Sequence, residues 1–160
     1  MAKQDQPPEL PSVLDRLIDE DPGSQQEKPM TVKQMGSKLR SAVRRDLEYL
    51  LNTRQRPFPP PPGLEDLERS SFEYGIPDFS GAYLTTLERR RKYLRGIEQL
   101  IKRHEPRFSS VRVSPVDARK DTSRTLHFRI EAVLQTEPMP ESVLYDSHLD
   151  VSTRSFRIEA

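Results

Sequence analysis

Residues 104–108 read His104-Glu105-Pro106-Arg107-Phe108, and the hydrophobic period of the chain changes there. Upstream, Leu84, Leu87, Leu94, Ile97 and Ile101 recur at helical spacing, which predicts an amphipathic helix over 82–104. Downstream, Val111-Arg112-Val113 predicts a first strand that ends near Pro115. In residues 124–134, Leu126, Phe128, Ile130, Ala132 and Leu134 alternate with His127, Arg129 and Glu131. That alternation predicts a strand with one buried and one wet face, the pattern of antiparallel sheets. Pro106 has no backbone N–H and biases Glu105 away from helical geometry, so the helix ends at a stiff corner flanked by Glu105 and Arg107. A carboxylate at a helix C-terminus faces the negative end of the macrodipole and needs a compensating cation. Arg107 is the nearest one, and a partner chain is the other source.

The same reading extends in both directions. Thr31-Val32-Lys33-Gln34 has the form of a capping box, and Met35, Leu39, Val43, Leu47 and Leu50 follow at helical spacing, so a helix is predicted over 32–52. Its other face, with Lys38, Arg40, Arg44, Arg45 and Glu48, reads as solvated, and Asp46 as a local partner for its neighbours. Towards the C-terminus, Val143, Tyr145, Leu149 and Val151 alternate, and Ser152-Thr153-Arg154-Ser155 reads as a hairpin turn into Phe156-Arg157-Ile158. Helices first and strands afterwards give an α+β fold: N-terminal helices packed on one face of a small antiparallel sheet formed by the C-terminal half.

Two domain-level divisions follow. Residues 1–30 are polar and proline-dotted and read as a flexible N-terminal arm, except for Ser12-Val13-Leu14-Asp15-Arg16-Leu17-Ile18. There Ser12 suits a helix cap, and Val13, Leu14, Leu17 and Ile18 share one face. This short segment reads equally as a docking peptide and as a helix folding back on its own domain. Residues 31–160 form the domain, interrupted by the proline-rich run 57–62, which reads first as a rigid connector and second as a polyproline ligand. Tyr74-Gly75-Ile76-Pro77-Asp78 reads as a tight loop.

Composition removes several function classes. Lys plus Arg number 26 against 25 Asp plus Glu, a net charge of +1, which gives no global field for nucleic acid or anionic membranes. There is no cysteine, hence no disulfide, no thiolate nucleophile and no cysteine-ligated metal. No apolar run approaches the roughly 20 residues of a membrane span, and the start Met-Ala-Lys-Gln-Asp lacks a signal core, so the chain reads as cytoplasmic. His104, His127 and His148 fall at a helix end and in two strands, away from any zincin spacing, and no Gly-rich phosphate loop or Gly-x-Ser-x-Gly elbow is present. No metal, cofactor or catalytic residue is expected. The basic run from Arg89 to Arg95, with Lys102, Arg103 and Tyr93 among the cations, reads as a solvated helix or protein interface ahead of a nucleic-acid surface. Carboxylates are abundant, so a muramidase, which needs two of them at the right separation, ranks second to a non-enzymatic role.

Four segments taken in order carry a resemblance: Ser12-Val13-Leu14-Asp15-Arg16-Leu17, Arg45-Asp46-Leu47-Glu48-Tyr49-Leu50-Leu51-Asn52-Thr53-Arg54, Tyr74-Gly75-Ile76-Pro77-Asp78, and Glu105-Pro106-Arg107. With Ile130-Glu131-Ala132 they resemble TssE, the small baseplate subunit of bacterial type VI secretion systems, itself similar to the small wedge protein of contractile phage tails. The resemblance spans nearly the whole chain, the Pro57–Pro62 run excepted. It implies a structural, non-enzymatic part that joins a wedge with TssF, TssG and TssK and starts the contractile sheath of TssB and TssC, in a cytoplasmic baseplate docked to the inner-membrane complex. It marks Glu105, Pro106 and Arg107 as the family's signature and Asn52, Thr53 and Arg54 as a second motif. With Leu14 and Leu17 of the docking segment, these are the residues expected to serve assembly. A sheet with an open edge would let sheath strands pair with it by β-augmentation.

Overall fold

A computed structural model of the chain describes residues 13–18, 22–23, 31–58, 61, 63–64, 66–67, 70–77, 84, 86–116, 125–136 and 139–159. Helices α1 (Val13–Leu17), α2 (Val32–Asn52) and α3 (Leu87–His104) precede four strands, β1 (Phe108–Pro115), β2 (Thr125–Leu134), β3 (Glu141–Asp150) and β4 (Ser155–Glu159). The strands form one antiparallel sheet in the order β1-β2-β3-β4. The α+β reading holds, with the helices on one face of the sheet. Most of the arm, Ser12 included, the prolines at 59, 60 and 62, and residues 117–124 lie outside the described residues.

Helix α2 begins where its sequence sets it. Thr31 accepts the Gln34 N–H at 3.4 Å while Gln34 Oε1 accepts the Thr31 N–H at 2.9 Å, so two orphan donors of the first turn are satisfied reciprocally. Val43, Leu47, Leu50 and Leu51 are buried against the sheet, whereas Met35 at the start of the stripe is 38% exposed. Helix α3 is shorter than its spacing predicts. Thr86 caps it by accepting the Arg89 N–H, so Leu84 enters the core from outside the helix and Leu87 is turned to solvent. Leu94, Ile97 and Ile101 form its buried stripe.

Strand β2 is the centre of the sheet. Leu126, Phe128, Ile130, Ala132 and Leu134 are all buried, facing the helices with Val143, Tyr145 and Leu149 of β3 and Phe156 and Ile158 of β4. Phe128 and Phe156 meet edge to face at 6.0 Å. β1 starts earlier than expected, at Phe108, with a register irregularity between Phe108 and Ser110. β3 ends at Asp150, so Val151 belongs to the turn, where Asp150 Oδ1 accepts the Ser152 and Thr153 N–H groups and Arg154 adopts φ 56°.

The edge strands are β1 and β4, and both are held by side chains from the helices. On β4 the Asn52 side chain donates to the Phe156 carbonyl at 3.0 Å and accepts the Phe156 N–H at 2.9 Å, and Arg44 reaches the Ile158 carbonyl at 3.4 Å. On β1 the outward N–H of Val113 is taken by Glu98 at 3.0 Å, and Pro115 has no N–H to offer. The open edge anticipated from sequence is thereby partly occupied on both sides, at Phe156 and the Ile158 carbonyl of β4 and at the Val113 N–H of β1.

Candidate assembly site

Glu105 closes α3 with φ −119° and ψ 84°, donating its own N–H to the Ile101 carbonyl at 2.8 Å, the geometry that the following proline requires. The chain turns through Pro106 and enters β1, and the Arg107 carbonyl accepts the Gln135 N–H at 2.9 Å, which pins the corner to the end of β2. Pro106 is exposed at the tip, while Glu105 behind it is 5% exposed.

The pair flanking the proline is internal. Arg107 Nε donates to Glu105 Oε1 at 2.6 Å and Nη2 to Oε2 at 2.5 Å, a two-pronged fork onto one carboxylate, with the Arg107 backbone N–H adding a third bond at 3.2 Å. Nη2 also donates to Asp46 Oδ2 on α2 at 2.7 Å. Burial works against the Arg107 cation, but the bonds and charges of Glu105, then Asp46, outweigh it and hold the guanidinium protonated above its ordinary range. The charge that the helix terminus demanded is therefore supplied from inside the chain.

Asp46 continues the series. Its Oδ1 accepts from Arg45 Nη2 at 3.1 Å, and Arg45 Nη2 donates to Asp15 of α1 at 2.8 Å. Glu105, Arg107, Asp46, Arg45 and Asp15 thus alternate in sign from the α3–β1 corner across α2 to the N-terminal segment. The last link settles the posture of that segment: α1 lies on α2 through Asp15, yet Leu14 and Leu17 remain 50% and 76% exposed. Asp46 is the local partner that its sequence suggests, for Arg45, and it also bridges to Arg107, a contact the sequence does not suggest. No local signal announces a contact between residues 61 positions apart.

Beside the corner a cleft of about 460 Å³ is floored by Leu47 and Leu50 and walled by Tyr74, His104, Pro106 and Arg107. Tyr74 and His104 meet edge to face at 5.4 Å. Burial, then the Arg103 charge, keeps His104 below its ordinary pKa despite opposing help from Glu73. Burial, followed by the Asp46 and Glu105 charges, raises Tyr74. Among the described residues no group of three or more histidines and carboxylates is placed to hold a metal ion.

Asn52, Thr53 and Arg54 sit at the far end of α2 and form a second cluster. Asn52 grips Phe156 as described and donates to the Glu48 carbonyl at 2.8 Å. Thr53 closes the helix through Oγ1 to the Tyr49 carbonyl at 2.7 Å, and Arg54 Nη2 donates to the Arg154 carbonyl at 2.5 Å in the β3–β4 turn. The 74–77 loop zips onto the same segment: Ile76 N–H donates to the Thr53 carbonyl at 2.8 Å and Gln55 N–H to the Ile76 carbonyl at 2.9 Å. Gly75 permits this approach, since its φ is +106° and an added Cβ would lie 2.6 Å from the Thr53 oxygen. The two motifs consequently do not share a site. One joins helices to sheet at the corner, the other at the β4 edge.

No curated protein matches the chain. The sequence pattern of one family, described as baseplate wedge protein gp25, matches residues 37–139, a stretch that contains most of α2, the Asn52–Arg54 cluster, the 74–77 loop, α3, the corner, β1 and β2. The match covers more than half of the chain and includes every residue of the braced corner except Asp15. The chain belongs to the baseplate wedge protein gp25 family, a family of structural baseplate components.

Proposed function

We propose that this chain is the TssE-type subunit of a type VI secretion baseplate, a non-enzymatic part that joins TssF, TssG and TssK and nucleates the TssB/TssC sheath around the inner tube. Its place would be a cytoplasmic baseplate docked to the inner-membrane complex. The observation that carries this reading is the Glu105-Pro106-Arg107 corner inside the family match: it is braced from within and presents Pro106 outward. An element fixed before its partner arrives loses little conformational entropy on docking, which suits the first layer of a polymer. Glu105 and Arg107 would act as the positioning pair and Pro106 as the contact, with Leu14 and Leu17 offering a second apolar contact tethered to the same brace. Both sheet edges carry side-chain bonds from the helices, so docking at the corner is favoured over strand addition.

Charge reversal at Glu105 or Arg107 reads folding together with docking, because both are internal. The decisive test images a fluorescent sheath subunit in living cells. Deletion of this chain is expected to abolish sheaths and the wild-type copy to restore them. Pro106→Asp, which alters an exposed position, is expected to leave the circular dichroism spectrum intact while failing to restore them. Sheaths at wild-type frequency in the deletion strain would overturn the type VI reading. Full rescue by Pro106→Asp would remove Pro106 from the contact.

A further inference from the structure

The charge of this protein is divided unevenly. Helix α3 holds seven Lys and Arg against two Glu, a formal +5 in a chain whose total is +1, so all the other residues together carry −4. Part of that positive charge is used within the fold. Arg90 Nε donates to the Leu84 carbonyl at 2.8 Å, Lys102 to Glu98 at 2.6 Å, and Arg103 lies 3.6 Å from Glu73. Arg91, Lys92 and Arg95 are exposed and make no hydrogen bond or ion pair among the described residues.

Their arrangement gathers positive charge on one face of the helix. Arg91 and Arg95 are one turn apart and Lys92 and Arg95 three residues apart, so like charges are neighbours on one face. Glu88, three and four residues before Arg91 and Lys92, and Glu98, three after Arg95, stand at spacings that offset the repulsion. The three cations follow Arg89 and Arg90 of the first turn, in which Glu88 is the one acidic residue. Three exposed cations on one helix, with no ion pair among the described residues, in a chain whose other residues sum to a negative charge, leave this face open to a partner of opposite sign.

The neighbouring residues favour a protein over a polyanion. Glu88 and Glu98 interrupt the basic face, so it is patterned rather than uniformly positive, unlike a surface that tracks phosphates. The aromatic residue among these cations, Tyr93, buries its hydroxyl and is half-buried as a whole, contrary to its expected place on the basic face, and so gives no platform for stacking bases. Arginine on a rigid helix pairs well with carboxylates through its planar fork. We infer that the exposed face of α3 around Arg91, Lys92 and Arg95 is a docking surface for a carboxylate-rich protein surface. This assignment stands apart from the corner and from the type VI reading.

The test uses the full chain and three labelled probes at 50 and 200 mM salt: a 20-residue polyglutamate peptide, a 20-base-pair DNA duplex and phosphatidylglycerol-containing vesicles. Two triple variants are compared, Arg91→Gln/Lys92→Gln/Arg95→Gln on α3 and Arg112→Gln/Arg129→Gln/Arg157→Gln on the wet face of the sheet, which remove the same charge. The wild type is expected to bind the peptide, with affinity falling steeply with salt. The α3 variant should lose about tenfold or more, the sheet variant less than about threefold, a contrast that screened long-range charge does not produce. The α3 variant should also melt close to wild type, since the three side chains are exposed and make no ion pair among the described residues. Absence of peptide binding at 50 mM salt, an equal loss in both variants, or tighter binding to duplex or vesicles would each overturn the proposal.

Discussion

Replacing Arg107 with Met removes the guanidinium fork while keeping much of the side-chain stem. The Glu105 side chain is 6% exposed and would lose its bonds at 2.6 and 2.5 Å, retaining only the Arg107 backbone N–H at 3.2 Å. Asp46 would fare better, because its side chain is 26% exposed and it keeps Arg45 at 3.1 Å. The loss is therefore dominated by one buried carboxylate deprived of its cation, which costs about 3–5 kcal/mol. The exposed part of the Asp46 pair adds at most about 1 kcal/mol. Against a typical domain stability of about 5–15 kcal/mol this is a large fraction.

Urea unfolding followed by circular dichroism reads the effect. With a slope of about 2 kcal/mol per molar, a loss of about 4 kcal/mol moves the midpoint down by about 2 M at unchanged slope. The double variant Glu105→Gln/Arg107→Met separates charge from packing. It leaves a neutral amide in place of the stranded carboxylate, and its cost should fall to about 1–3 kcal/mol, the range for an unsatisfied neutral polar group. The reasoning is refuted if Arg107→Met alone costs less than about 1 kcal/mol, the worth of an exposed pair. It is equally refuted if the double variant is no more stable than the single one.

Three further outcomes are expected. Asn52→Leu removes both side-chain bonds to Phe156 and should lower stability by about 1–3 kcal/mol; because it also uncovers the β4 edge, size-exclusion chromatography should show concentration-dependent self-association absent from wild type. Gly75→Ala places a Cβ 2.6 Å from the Thr53 oxygen at φ +106° and should cost more than about 1 kcal/mol, read as a lower urea midpoint, whereas Gly63→Ala, with open space around it, should cost less. His104 has a folded pKa below its ordinary value of 6.5, so the folded state disfavours its protonation; the resulting stability is present above that value and lost as pH falls through the lower folded one. Thermal melts from pH 7 to pH 5 should therefore decline in wild type, and His104→Gln should flatten that part of the decline.

How much of this was legible in the sequence depended on the range of the interaction. The α2 boundaries followed from Thr31 and Gln34, three residues apart, and the corner from Pro106 alone, since both are local effects with stereotyped residues. Strand β2 was readable because five apolar residues alternate over its length. The start of α3 was misplaced because Leu84 and Leu87 fit a 3.6-residue period, and period says nothing about which side of a cap a leucine lies on; Thr86 decided it. The Asp46–Arg107 and Asn52–Phe156 contacts span 61 and 104 positions, and composition or spacing contains no trace of either. Resemblance singled out Asn52 and Glu105 without supplying their partners, which only the packing of α2 against the sheet provides.

That packing also bears on what the corner is able to do. An ion pair at a protein surface changes geometry readily, because water replaces either partner at small cost. Arg107 lacks that freedom: it is clamped by two carboxylates from different elements, and its Nη1 is buried with no hydrogen-bond partner among the described residues. Turning the corner would have to break both bonds together, and the Arg107 carbonyl's bond to Gln135 as well. The consequence for the proposed assembly role is specific. Substitutions inside the brace should act by letting Pro106 move, and so should be rescued partly by lower temperature, which restores the folded geometry. Substitutions at Pro106 itself remove the contact and should not respond to temperature. Sheath counts at two growth temperatures distinguish the two, and an Arg107→Lys strain showing no recovery in the cold would place Arg107 at the contact instead of behind it.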